Sequence, residues 1–173
     1  MQAYHDREWG VPLHDDRKLF EFLILDGAQA GLSWRTILYR REGYRKAFYN
    51  FNAKRMARMT SNDEARLLKD PGIIRNRLKI KSAIQNARAY LAVKKEFGTF
   101  DKYLWQFVEK SSKKSRRHQT YRDIRTTSPE SDAMSKDLRA RGFNFVGSTI
   151  CYAFMQAAGM VDDHLHGCFR TKN

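Results

Sequence analysis

The sequence is short of cysteine, of proline and of long apolar runs, and each shortage closes off a class of protein. Two cysteines, Cys151 and Cys168, in 173 residues make no disulfide framework. Nothing implies an oxidising compartment, so they read as thiols or metal ligands, although one bridge between them is possible by count. The three prolines fall at turns or helix starts: Pro12, Pro71 and Pro129. No apolar run is long enough to span a bilayer, and no secretory signal opens the chain. No alternating apolar pattern is long enough to argue for a sheet, and no internal repeat is present.

Positive charge is abundant. Lysine and arginine number 33 against 19 acids, a formal net charge of +14. A surface of that sign favours a polyanion, with nucleic acid ahead of an acidic membrane surface. Hydrophobic residues make up 42% and charged residues 30%, the balance of a globular chain. The length suits one domain with a real core, or two small helical lobes. The reading adopted is one domain over 1–173, with a mobile basic loop over 111–125. There Lys113, Lys114, Arg116 and Arg117 sit among serines without large apolar residues.

Helix signals recur along the chain. Asp15 or Asp16 can cap a helix running to about Leu25, and Ser33 one from Trp34 through Phe48. Asn52 precedes a short helix with Met56 and Met59, and Ser61 with Glu64 has capping-box spacing. Lys69 to Ile74 is a turn, after which Ile80, Ile84, Ala87, Tyr90 and Leu91 share one face of the next helix. Its arginines and lysines are either a solvated face or a phosphate-facing one. Phe97 to Val108 is aromatic-rich and reads as core. Ser128-Pro129 starts another helix ending near Gly142, and the apolar helix Ser148 to Ala158 follows a tight turn.

One acid breaks the apolar pattern. Leu19, Phe22, Leu23 and Asp26 lie at i, i+3, i+4 and i+7, which puts Asp26 on the inward face. A buried carboxylate is costly without a partner or something to bind. The small residues Gly27 to Gly31 leave room beside it, and Trp34 opens the next helix. Asp26 and Trp34 can wall a pocket for a flat, hydrogen-bonding guest. Otherwise Asp26 caps the helix starting near Ser33, beside a core tryptophan.

The stretch LFEFLILDGAQAGLSW, with YHDREWGVP before it and FVGSTICYAFMQAAGMVDDH after it, resembles the DNA-3-methyladenine glycosylase I family. The likeness runs from about Tyr4 to Cys168, in several long motifs in order. It implies an all-α fold of the helix-hairpin-helix DNA glycosylase superfamily and an intracellular, cytoplasmic monomer acting on alkylated duplex DNA. It also implies release of 3-methyladenine by a monofunctional enzyme. The absence of a lysine after Gly147, where Ser148 and Thr149 stand, argues against lyase chemistry.

The resemblance assigns roles residue by residue. Tyr4, Asp26 and Trp34 bind the base, with Asp26 where the family usually has Glu. Gly31 and Leu32, with Ala30, fill the gap left in the duplex. The residues themselves, together with the +14 charge and the family likeness, place the anchoring hairpin at Arg139 to Thr149, where Gly147 admits phosphate to a helix start and Ser148 and Thr149 add hydroxyls. Asn144 and Phe145 stand in its turn where the superfamily has Pro and Gly, and Pro71-Gly72-Ile73 is the alternative turn. His5, His164 and Cys168 match three of four ligands of a structural zinc. The fourth is a Cys upstream of the YHD motif, in a segment this sequence does not hold, and His166 is the nearby substitute. Asp162 occupies the place of a catalytic acid in the wider superfamily, where it either steadies a cationic sugar or caps a loop. Two other classes remain open: a noncatalytic DNA-binding helical module, and a basic scaffold for acidic protein or lipid.

Overall fold

The computed structural model describes residues 1–109 and 120–170, and among these the regular structure is helical. Its helices are α1 (Gln2–Arg7), α2 (Asp16–Gln29), α3 (Trp34–Ala47), α4 (Ala53–Ala57), α5 (Ser61–Leu67), α6 (Arg77–Phe97), α7 (Phe100–Glu109), α8 (Pro129–Ala140) and α9 (Ser148–Ala157). Short 3-10 turns lie at Tyr49–Phe51 and Tyr121–Asp123. No described helix is long and apolar enough to cross a membrane.

α2 is the axis of the packing. Leu19 through Ala28 are all buried, and the helix packs against α3, α6, α7 and α9. A helix buried all round belongs at the centre of a helical protein. One hydrophobic cluster draws side chains from every helix, from Tyr4 on α1 to Phe154 on α9. The helix starts follow the capping chemistry of the sequence. Asp15 accepts from the Lys18 N–H at 2.8 Å, Ser33 from Thr36 at 3.2 Å, and Asn76 from Lys79 at 3.1 Å. Ser128 caps α8, with Pro129 in its first turn.

Several boundaries differ from the sequence reading. α2 does not stop at Leu25 but runs to Gln29, so Asp26 sits inside the helix. Gly27 serves close packing there, since a Cβ on it would come 3.3 Å from Phe145. The turn begins only at Ala30, and Gly31 takes φ +76°. The capping box of α5 is formed by Thr60 and Asp63, one residue earlier than Ser61 and Glu64. Both pairs have the required spacing. α6 starts at Arg77 rather than Ile74, because Asn76 takes the capping position. The basic stretch 111–125 lies outside the described residues as far as 119. From Thr120 onward there is an ordered turn, in which the Thr120 N–H donates to Asp123 Oδ2 at 2.7 Å.

Candidate functional site

Three helices bring Tyr4, Asp26 and Trp34 together. Tyr4 is buried on α1, Asp26 is 3% exposed on α2, and Trp34 is the half-buried first residue of α3. The Tyr4 and Trp34 rings lie 5.5 Å apart at 52°, and Phe22 supports Tyr4 at 6.4 Å. The buried acceptor Asp26 Oδ2 has no hydrogen-bond partner, and the buried donor Trp34 Nε1 lies beside the Tyr4 hydroxyl without reaching good hydrogen-bond geometry. Buried polar groups are nearly always satisfied, so such exceptions call for a cause. Ser33 caps α3 with its own hydroxyl, so Asp26 does not do so.

The electrostatics follow from burial. Loss of water pushes the Asp26 carboxyl well above the usual carboxylate range. Burial also pushes Tyr4 up, and the charges of Asp26 and then Glu8 add to it. Cys151, buried on α9, is pushed up to about 12 by burial, with Asp26 acting in the same direction. It is therefore an inert thiol, hydrogen-bonded to the Val146 carbonyl at 3.3 Å.

An ion-pair network that the sequence reading missed latches α1 to α2 and α3. Glu21, 5% exposed, accepts from Arg41 Nε at 2.5 Å and from Arg45 Nη2 at 2.8 Å. Arg41 Nη1 reaches Glu8 at 2.7 Å. The network ties the end of the helix that carries Tyr4 to α2 and α3. Its signal was Glu21 between Phe20 and Phe22, a second acid inside an apolar run.

Two turns face outward near this site. Gly31 has open space around its Cα, and Leu32 is 39% exposed. The second turn, Gly142 to Gly147, leads into α9, whose start carries no side-chain cap. Phe145 takes φ +55°, the left-handed conformation for which glycine is usual. A Cβ on Gly147 would meet Arg139 Nη2 at 3.2 Å, so a guanidinium stands beside the helix start. Thr149 is exposed. Ser148 is not the free donor expected: its hydroxyl donates to Asp132 Oδ1 at 2.5 Å and meets Ser131 Oγ at 2.8 Å. The Pro71-Gly72-Ile73 turn is instead backed onto α3. A Cβ on Gly43 would collide with the Gly72 carbonyl, and the Ile74 N–H donates to Tyr44 Oη at 3.3 Å.

The chain ends meet in a third cluster. One ligand atom each from His5, His164 and Cys168 lies within 4.8 Å of the others, and Cys168 Sγ is 3.6 Å from His5 Nε2. His5 Nδ1 is paired with Asp6 at 2.9 Å, and His164 Nδ1 with Asp162 at 2.7 Å. Carboxylates on Nδ1 turn the Nε2 atoms inward, the usual outer arrangement of metal-bound histidine. His164 Nε2 is buried and without a partner. Trp9 packs against His164, ring centroids 4.6 Å apart, and only glycine fits at position 10, where a Cβ would strike the same ring. His166 is exposed and outside the cluster. Asp162 also accepts from the His164 backbone N–H at 3.2 Å, the loop-capping bond of the second reading of this acid.

The all-helical body, with a buried acid near two aromatic rings, has the fold of solved 3-methyladenine DNA glycosylases, consistent with the helix-hairpin-helix DNA glycosylase class. The chain belongs to the methyladenine glycosylase family, whose model matches residues 1–171. It is 50% identical over 166 residues to DNA-3-methyladenine glycosylase 1 of Escherichia coli (strain K12), covering 96% of this chain and 88% of that protein. A crystal structure of 3-methyladenine DNA glycosylase I superposes with TM-score 0.95 at 50% identity, covering 99% of this chain and 93% of the other. Another 3-methyladenine DNA glycosylase I, a tyrosine-to-phenylalanine variant solved in complex with 3-methyladenine, matches with TM-score 0.94 at 37% identity. That match covers 99% of this chain and 92% of the other.

Proposed function

We propose that the protein is a base excision repair glycosylase that hydrolyses the bond between 3-methyladenine and deoxyribose in alkylated duplex DNA. The observation that carries the substrate is the unpartnered buried acceptor Asp26 Oδ2, set near the weakly held donor Trp34 Nε1. An adenine ring offers an amine to the first and a ring nitrogen to the second. Methylation at N3 makes the base cationic in DNA, which suits a buried acid and the faces of Tyr4 and Trp34. The target nucleotide leaves the stack to reach them, while Ala30, Gly31 and Leu32 occupy the gap.

The chemistry then needs little proton transfer. As the N9–C1′ bond breaks, its electron pair passes to the ring and cancels the positive charge, so the base departs neutral. Water adds to C1′ and gives its proton to solvent, leaving an abasic sugar. Asp26 holds and orients the cationic base in a dry pocket and disfavours its return to water. Arg139, the open start of α9 with Gly147 and Thr149, and the +14 surface charge supply phosphate contacts. With serine and threonine rather than lysine after Gly147, the activity is monofunctional.

The cluster of His5, His164 and Cys168 supplies three of the four donors a structural zinc takes. Two imidazoles and a thiolate are a zinc donor set, and the orphaned His164 Nε2 is the atom such an ion would satisfy. These residues would hold it, Asp6 and Asp162 would orient the imidazoles, and the ion would staple the chain ends without entering the reaction. The protein acts as a monomer.

The test is to incubate the protein with methylated duplex DNA and measure free bases. Release of 3-methyladenine, lost in Asp26→Asn, is the expected result. Duplex binding without release would leave only a DNA-binding module.

A further inference from the structure

Three polar side chains stand in one row on α6: Lys79, Ser82 and Asn86, at i, i+3 and i+7. Each is turned toward the protein. Lys79 Nζ donates to the carbonyls of Ala28 at 2.8 Å and Ala30 at 2.7 Å, at the C-terminal end of α2. Ser82 Oγ donates to the Asn144 carbonyl at 3.2 Å. Asn86, 2% exposed, pairs with the Asn144 backbone from both sides. Its Nδ2 donates to the carbonyl at 3.0 Å, and its Oδ1 accepts from the N–H at 2.8 Å. Gln85 adds a bond to the Gly142 carbonyl at 3.4 Å.

The two segments held in this way are the Ala28 to Ala30 end that leads into Gly31 and Leu32, and the turn that leads into α9. A narrow cleft between them is lined by Ile24, Gly27, Lys79, Ser82, Asn86 and Phe145. Asn86 uses its whole amide on one backbone unit, so residue 144 can shift in neither direction without leaving a buried group unpaired. The next residue, Phe145, stays at positive φ only because its surroundings impose it.

A flipped-out nucleotide requires both turns to meet one duplex at once, the first in the base stack and the second on the backbone. Their separation must match a fixed DNA geometry, because small misplacements cost rate steeply. We infer that the Lys79, Ser82 and Asn86 row is a spacer that sets the distance between the gap-filling loop and the phosphate-gripping hairpin. The inference rests on the glycosylase reading above. These are positioning residues, acting through the backbone of residues 28–30 and 142–144.

Asn86→Ala, Lys79→Met and the double variant test the spacer. Three readings are needed: duplex Kd by fluorescence anisotropy, kcat and KM for base release, and tryptophan quenching by free 3-methyladenine. Asn86→Ala is expected to raise duplex Kd and KM about ten-fold, with kcat and free-base affinity unchanged. Lys79→Met is expected to lower kcat about ten-fold with a smaller effect on duplex Kd. A spacer detached at one end fixes no distance, so whichever constant each single variant moves, the double variant should move neither kcat nor KM much beyond the larger single effect, and its kcat/KM should fall well short of the product of the two losses. Losses that multiply would mean two independent local contacts and would overturn the spacer. So would an unchanged duplex Kd in Asn86→Ala, or a parallel loss of free-base affinity. Should Asn86→Ala unfold the protein, Ser82→Ala removes one donor to the same carbonyl and is expected to raise duplex Kd about three-fold; no change there overturns the spacer equally. Wild-type protein that binds duplex but releases no base defeats the excision reading and leaves the spacer to the Kd arm. Wild-type protein that binds no duplex overturns both.

Discussion

Gly27 and Phe145 are in direct contact: a Cβ on Gly27 would lie 3.3 Å from both the Phe145 Cβ and its carbonyl oxygen. Gly27 follows the buried acid, and Phe145 holds the left-handed position of the hairpin. The base pocket and the phosphate grip therefore meet at a tight contact beside a narrow cleft, and close-packed contacts pass strain on. Gly27→Ala needs only a small adjustment and should leave the fold intact. Gly27→Val should cost about 1–3 kcal/mol of stability and weaken duplex binding. Urea unfolding and anisotropy measure both effects. A valine variant with wild-type stability and affinity would show that the hairpin moves independently of α2.

Asp26→Asn keeps the shape of the side chain and removes its charge. Burial pushes the Asp26 carboxyl up, so the folded protein binds that proton more tightly than the unfolded chain does. The stability linked to it is complete below the ordinary carboxylate pKa and is lost as pH rises through the raised value. The asparagine variant escapes this loss. It should be more stable than wild type at pH 8 by on the order of 1–2 kcal/mol, or about 2–8 °C in Tm, with the gap closing toward pH 4. The same variant should release 3-methyladenine at least ~100-fold more slowly. Melting curves across pH decide the first point: a Tm difference independent of pH would mean that no buried charge was removed.

The acid was legible in the sequence because it violates an otherwise apolar periodicity, and Trp34 because it opens the next helix. Other features had no local signal. Gly27 looks like a turn residue by propensity, yet it lies inside α2, where the closeness of Phe145 favours a residue without a side chain, which is a fact of tertiary packing. Asn86 is one polar residue on a helix rich in them, and only the fold shows that it meets Asn144. The partners of Arg41 and Ser148 are likewise long-range: with 33 basic residues and 19 acids, the sequence offers too many pairings to choose from. His5 lies 163 positions from Cys168, a separation at which spacing carries no information, and their grouping came from family resemblance alone. Most helix starts were readable to within a residue, because capping chemistry is local, but α6 starts at Arg77, three residues after the expected Ile74.

The zinc proposal makes a demand on Asp162 that a catalytic role does not. If Asp162 only orients His164, then Asp162→Asn should weaken metal affinity by about 10–100-fold while base release at saturating zinc stays near wild type. Chelation of the wild-type protein should lower Tm by about 5–10 °C. Metal content by elemental analysis, zinc titration and release assays on one preparation separate the two roles. Loss of base release with zinc affinity intact would return Asp162 to the reacting sugar.

Asp132 presents an apparent conflict beside the open start of α9. Its carboxylate accepts the Ser148 hydroxyl at 2.5 Å, close to where a phosphate is proposed to bind, and negative charge there opposes DNA. Arg139, lying over Gly147, acts in the opposite sense. Asp132→Asn should therefore tighten duplex binding by about three-fold at low salt, and Arg139→Ala should weaken it. Because Arg139 is assigned to a phosphate and not to a base, its loss should be uniform across sequences and should reduce the slope of log K against log salt by about 1. Anisotropy titrations at several salt concentrations measure both variants. An Arg139→Ala slope equal to wild type would move the phosphate contact elsewhere on the hairpin, and weaker binding by Asp132→Asn would mean that its bond to Ser148 is what holds the start of α9 in place.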